Sequence, residues 1–173
     1  MSGFGFRRDI ANSRLDIEVA GSDVLQATTT ALTIPSGVTS GLTVVAGGLT
    51  VTAGGITLSD GSIVYENYVA VTQLSTHATT VICSALSGII TLFSVDLVAG
   101  AQATFTVTNT FVAVGDVVLL HIGNYADASG TGTATVHDVA SGSFKVWLDN
   151  NHASEAAFNN ATTLNFVVIQ ANA

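Results

Sequence analysis

Residues 41–61 read GLTVVAG, GLTVTAG, GITLSDG, with Gly41, Gly48 and Gly55 opening the three heptads and Gly47, Gly54 and Gly61 closing them. A period of seven is also the period of a coiled coil, but two glycines per heptad cost a helix about 2 kcal/mol in every repeat, which excludes the helical solution. Within each unit apolar residues flank a threonine: Leu42-Thr43-Val44, Leu49-Thr50-Val51 and Ile56-Thr57-Leu58. That pattern is a very short strand with one buried face, followed by a Gly-Gly or Asp-Gly turn. Three such strands bury too little surface to stand alone, because repeat units need neighbours to complete a core. Either one chain makes a single triangular turn, or three chains wind together as a β-prism or triple β-helix. The second leaves no open edge, and it suits a chain with only 9% charged residues. The sequence therefore predicts a trimeric stem over residues 34–62, with Leu42, Val44, Leu49, Val51, Ile56 and Leu58 turned inward.

The rest of the chain points to the same structural class. Thr and Val are abundant, and two heavy atoms on Cβ suit a pleated strand better than a helix. Of 173 residues, 48% are apolar, too many for intrinsic disorder and enough for a medium domain with a smaller appendage. A lone monomer normally carries more charge to stay soluble, so a surface covered by other protein is expected. The predicted fold is all-β: an N-terminal extended arm over residues 1–33, the stem over 34–62, and an antiparallel, jelly-roll-like sandwich over 63–173.

In the third region candidate strands cover 63–73, 79–84, 89–97, 103–113, 117–123, 132–139, 143–149 and 163–170. Their spacing and turn signals mark a sandwich or barrel, and eight strands suit a jelly roll. Phe105, Val107 and Phe111 fall on one face and Thr104, Thr106, Thr108 and Thr110 on the other. Val117–Leu120 is continuously apolar, as expected of a strand covered on both faces. Residues 149–161 form the longest expected loop, with room for one helical turn.

Net charge is −8, with twelve acidic residues against four basic ones. This disfavours nucleic acid as a partner, because phosphate binding needs a Lys/Arg surface. Arg7, Arg8 and Arg14 lie together near the start, and with Phe4 and Phe6 they form a candidate docking arm for an acidic partner. The alternative is an exposed basic pair in a flexible tail. Residues 67–95 carry no charge, but polar residues and a strand-like pattern interrupt them, so no membrane-spanning helix is expected. The first residues lack a signal-peptide pattern, and the lone Cys83 among Val81, Ile82 and Leu86 reads as a buried structural thiol. Synthesis in a cytoplasm, without disulfides, is the expectation.

Few residues in the sequence point to catalytic chemistry. The carboxylates are scattered, and the G-x-S-x-G, phosphate-loop and H-E-x-x-H patterns are missing. His77, His121, His137 and His152 are too far apart in sequence to signal a zinc site, and they read as core or solvated residues. No enzyme activity, metal or cofactor is expected. In GSFKVWLDN, Phe144, Val146 and Leu148 share one face, leaving Lys145, Trp147 and Asp149 outward. An outward Trp147 fits a subunit interface, cover by a neighbouring loop, or a glycan contact. The loop GNYADASGTG (123–132) places Tyr125 in either an adaptable binding loop or a plain Gly/Ser turn.

The Gly-Leu-Thr-Val heptads resemble the stem repeats of phage fibre, spike and head-decoration proteins. The stretch SGIITLFSVDLVAGAQATFTVTNTFVAVGDVVLLHIG, with GSFKVWLDN and TLNFVVIQA after it, resembles a β domain of structural proteins from marine and cyanobacterial phages. The likeness covers residues 41–173. It implies a homotrimeric virion component, made in the host cytoplasm and displayed on the capsid surface, with an N-terminal anchor and an outward β domain. One such role is a decoration or cement protein bridging major capsid protein subunits. The alternative is a tail fibre or receptor-binding tip that contacts host surface glycans. A jelly-roll lectin or glycan-degrading enzyme is a third reading, which the lack of clustered carboxylates weakens.

Overall fold

The computed structural model describes residues 4–19, 22–28, 31–34, 51, 56–58, 61, 63–125 and 132–171. Every regular element among them is a strand, and the chain divides into two compact units, Met1–Asp60 and Gly61–Ala173.

The first unit holds β1 (Phe4–Asp9), β2 (Arg14–Val19), β3 (Ser22–Ala27) and β4 (Leu32–Thr33), paired in that order as an antiparallel meander. The expected extended arm is thus a small sheet that pairs with itself. The turn from β1 to β2 closes through Ser13, whose φ of 50° is a left-handed conformation and whose N–H donates to Ile10 O at 3.3 Å. A short polar residue tolerates that conformation better than a bulky one. Of the heptad region only Val51, Ile56, Thr57, Leu58 and Gly61 are described; they lie outside strands and are exposed. Leu42, Val44 and Leu49 lie outside the described residues.

The second unit contains β5 (Tyr68–Thr72), β6 (Val81–Ile82), β7 (Ser87–Thr91), β8 (Gln102–Thr108), β9 (Val117–Asn124), β10 (Gly132–Ala140), β11 (Ser143–Asn150) and β12 (Thr163–Ile169). Each overlaps one of the strands expected from the sequence, although β7 begins at Ser87 and ends at Thr91, short of the expected 89–97, and β6 fills only two residues of 79–84. They form two four-stranded sheets, β10-β11-β8-β6 and β5-β7-β12-β9. The sheets are mixed, not purely antiparallel, because β5 pairs parallel with β7 and β6 parallel with β8. The chain winds from β5 to β8 between the two sheets like a flattened coil, so strands two apart in sequence become neighbours.

One core lies between the sheets. Phe105, Val107, Phe144, Val146 and Leu148 point into it from one side, and Ile90, Leu164, Phe166 and Val168 from the other. Phe144 and Phe166 meet edge to face across the layers, with centroids 5.4 Å apart. Such a pair adds about 0.5–1.5 kcal/mol beyond its buried area. Gly88 on β7 allows this closeness: a Cβ there would sit 2.6 Å from Val69 O, 2.8 Å from the Phe166 ring and 2.9 Å from Cys83 Sγ. Cys83 is fully buried as a free thiol, and burial pushes its pKa up. Phe111, expected on the inward face with Phe105, instead lies past the end of β8 at the surface. The loop after β11 forms no helical turn; Leu97 and Ala157 clip it by an isolated antiparallel bridge.

Candidate functional site

Strand pairing sorts the arm residues into two sets. In β1 and β2 the register sets Arg7 opposite Asp16, Arg8 opposite Leu15 and Phe6 opposite Ile17. Because side chains alternate along a strand, Arg7 and Asp16 share one face while Phe6, Arg8, Leu15 and Ile17 share the other. Asp16 is fully buried, and its Oδ2 accepts from Arg7 Nη2 at 3.0 Å and from Arg14 Nε at 3.2 Å. Arg14 Nε also lies 2.8 Å from Oδ1. Two of the candidate docking arginines are therefore engaged in neutralising a buried carboxylate inside their own sheet, where losing one partner is costly.

Arg8 is different. It is exposed and has no hydrogen-bond or ion-pair partner among the described residues. Its strand neighbour Phe6 is 67% exposed, and Ile10, Leu15 and Leu32 are also open to solvent. Beside them runs an open groove of about 440 Å³, walled by Arg8, Ile10, Arg14, Leu15 and Thr28. Phe4 belongs to β1. A guanidinium bordering exposed apolar side chains is equipped to meet a carboxylate set in an apolar protein surface.

In the second unit, Trp147 faces outward as its alternation requires, between fully buried Val146 and Leu148. The register builds a grid around it. Thr135, Trp147 and Thr104 form one row; Thr133, Asp149 and Gln102 lie on one side of it and His137, Lys145 and Thr106 on the other. The His137 ring tilts against the indole at a centroid distance of 5.0 Å, and Lys145 donates to Asp138 Oδ2 at 2.9 Å. That contact holds the Asp138 carboxyl below its ordinary pKa.

Tyr125 does not join this grid. Its ring meets Phe158 at 5.6 Å, and its hydroxyl accepts from the Phe158 N–H at 3.3 Å. His77 holds the same residue from another direction, with Nε2 3.1 Å from Phe158 O. A carbonyl can only accept, so Nε2 carries the proton. Burial is the main cause of the lowered His77 pKa, opposed by its contacts with the Phe158 and Phe93 carbonyls. Phe158 has a φ of 58°, and a Cβ on Gly132 would lie 2.4 Å from its ring. The four residues lock the loop after β11 onto the sandwich, so Tyr125 and His77 are structural in this unit. The remainder of the GNYADASGTG loop, residues 126–131, lies outside the described residues.

Buried amides were not anticipated from the sequence, and they fasten the loops. Asn150 Nδ2 donates to Leu97 O at 2.7 Å and Glu155 O at 2.8 Å, while its Oδ1 accepts from His152 N–H at 3.0 Å. Gln73 and Asn109 play similar parts, reaching Thr79 O at 3.0 Å and Ala85 O at 2.7 Å.

Among the described residues no three His, Cys, Asp or Glu side chains converge as a metal-binding group. No helix among them is long and apolar enough to cross a membrane, which does not bear on β-barrels. No family model matches the chain, and no curated protein or solved structure matches it either.

Proposed function

We propose that this chain is a non-enzymatic structural protein of a phage virion, a homotrimeric decoration or cement protein that docks on the major capsid protein lattice from the capsid surface. The observation that carries the reading is the N-terminal meander, a unit too small for a large core of its own, with Arg8 set on a face of exposed apolar residues. Asp16 fixes Arg7 and Arg14, and the groove beside Arg8 gives a partner's side chain a place to enter. The stem of Leu42, Val44, Leu49, Val51, Ile56 and Leu58 would then interlock three chains. The sandwich, with the strand count of a jelly roll and two parallel pairs as its departure from one, would project outward.

The test is co-sedimentation of the purified protein with undecorated capsids. Arg8→Glu should weaken binding at least tenfold, since a paired guanidinium is replaced by a like charge. Lys145→Glu, in the other unit, should leave binding unchanged. Equal binding by wild type and Arg8→Glu would overturn the docking reading. A point substitution is preferable to removing residues 1–14, which would delete β1 and expose the buried Asp16.

A second reading, a receptor-binding tip that contacts host surface glycans, is favoured by the Trp147 grid. An indole 36% exposed amid Thr104, Thr135, Gln102 and Asp149 offers a stacking surface with hydrogen-bonding groups around it. Binding of immobilised glycans by wild type but not by Trp147→Ala would support this role.

A further inference from the structure

The two sheets of the sandwich turn very different faces outward. The Trp147 sheet shows threonines and charged groups, as a solvated sheet does. On β5-β7-β12-β9 the row Leu119, Val167, Ser87, Tyr68 crosses all four strands, with the pair Val117 and Ile169 at one end and Ile89 behind it. Leu119 is 53% exposed, Tyr68 52%, Val117 51% and Ile169 47%. None of these four strands contains an Asp, Glu, Lys or Arg on either face. Leu119, His121, Asn165 and Val167 border a shallow hollow of about 250 Å³ on this face.

We infer that this outer face is a self-association surface, covered in the assembled protein by another copy of the same chain. Charge identifies the occupant. Each copy carries a net −8, so contact between copies is least opposed where neither presents a carboxylate, and this face meets that condition. A different, acidic partner would be recognised by cations, and the face has none. Area agrees. Four strands about 4.8 Å apart and five to eight residues long cover a plan area of roughly 400 Å². Side-chain relief raises the accessible area toward the roughly 600 Å² per partner at which specific interfaces begin. Sheets stack face to face about 10 Å apart, interdigitating such side chains. The face alone gives a modest interface, and a second link between the chains, such as the proposed stem, would strengthen it by raising effective concentration. The inference uses the self-assembly part of the function proposed above and does not depend on capsid attachment.

The experiment uses the full chain, with single cysteines introduced by Leu119→Cys and, on the opposite sheet, Thr104→Cys. Both positions point outward, and native Cys83 is buried and stays silent. Alkylation rates and light-scattering mass are measured on the same samples, and Val167→Lys is then added to each. The expected result is an oligomer in which the thiol at 119 reacts at least tenfold more slowly than the thiol at 104. Val167→Lys should remove that protection, with urea unfolding confirming that the sandwich stays folded. Equal rates at the two positions in an oligomer would overturn the inference while leaving a stem-held assembly standing. A monomer with a protected thiol at 119 would also overturn it, because the chain's own residues would then cover the face. A monomer with both thiols reactive would overturn this inference together with self-assembly itself.

Discussion

Asn150 offers a quantitative test of how the sandwich holds its longest loop. The side chain is fully buried and makes three hydrogen bonds of 2.7, 2.8 and 3.0 Å to residues 97, 155 and 152. Each net hydrogen bond is worth about 1 kcal/mol, so Asn150→Ala should cost ~3 kcal/mol. The backbone contacts of residue 150 with Ala101 and Gly100 remain in the variant, which limits the loss to the amide. With a urea slope of about 2 kcal/mol per M, the unfolding midpoint should fall by ~1.5 M. Trp147, the only tryptophan, lies on the same strand and provides the fluorescence signal. Asn150→Asp separates hydrogen bonding from packing. It keeps the volume and the acceptor for His152, but it turns a carboxylate oxygen toward the carbonyls of Leu97 and Glu155. A buried charge without a counter-ion costs roughly 4 kcal/mol, so the Asp variant should be less stable than the Ala variant. A midpoint for Asn150→Ala within about 0.3 M of wild type, far inside the shift expected from the slope, would refute the reasoning. So would an Asp variant more stable than the Ala variant.

His77 should make the sandwich sensitive to acid. Its folded pKa is lowered below 6.5 by burial, so the unfolded chain takes up the proton first. Stability is complete above the unfolded pKa and declines as pH falls through 6.5 toward the folded value. Melting of wild type and His77→Gln between pH 7.5 and 5 should show a steeper decline for wild type, and parallel curves would contradict this assignment. Gly88→Ala should destabilise by about 1–3 kcal/mol through overpacking, because the new methyl meets backbone, ring and sulfur together. At Gly123→Ala the nearest atoms to the new methyl belong to the exposed Asn165 side chain, so it should cost less in the same urea titration.

The sandwich was legible wherever pattern and burial agree. In β11 alternation alone separates Phe144, Val146 and Leu148 from Lys145 and Trp147, and in β8 it separates Phe105 and Val107 from their threonines. The apolar run at Val117–Leu120 signalled cover on both faces, and the single chain leaves Leu119 open. The meander was hidden because charges interrupt its apolar alternation, most of them on the face of Asp16 and Arg8 on the other. Arg7, Arg14 and Asp16 look like a solvated tail until the register places them side by side. The Ile10–Ser13 turn was the available signal for that hairpin. Parallel pairing of β5 with β7 could not be read, since periodicity describes each strand alone and not its partner. Asn150 and Asn109 flank turns and read as ordinary loop residues, because the carbonyls of Leu97 and Ala85 that their amides reach lie 53 and 24 residues away in sequence. The heptads gave the clearest pattern, and Leu42, Val44 and Leu49 lie outside the described residues.

The position of β12 has a kinetic consequence. It lies between β7 and β9, so its sheet is in two pieces until the last of these strands arrives. From β5 to β10 every strand joins the sheet opposite to its predecessor, and β10–β11 joins sequence neighbours as a hairpin. Such non-local pairing places folding in the millisecond-to-second range, whereas the N-terminal meander pairs neighbours only. During synthesis the meander can therefore form early, while β7 and β9 wait with open hydrogen-bonding edges. A chain cut short before residue 163 would lack the central closure of its sheet and present two sticky edges to its neighbours. Soluble protein should thus depend on completing the last strand far more than its seven residues would suggest.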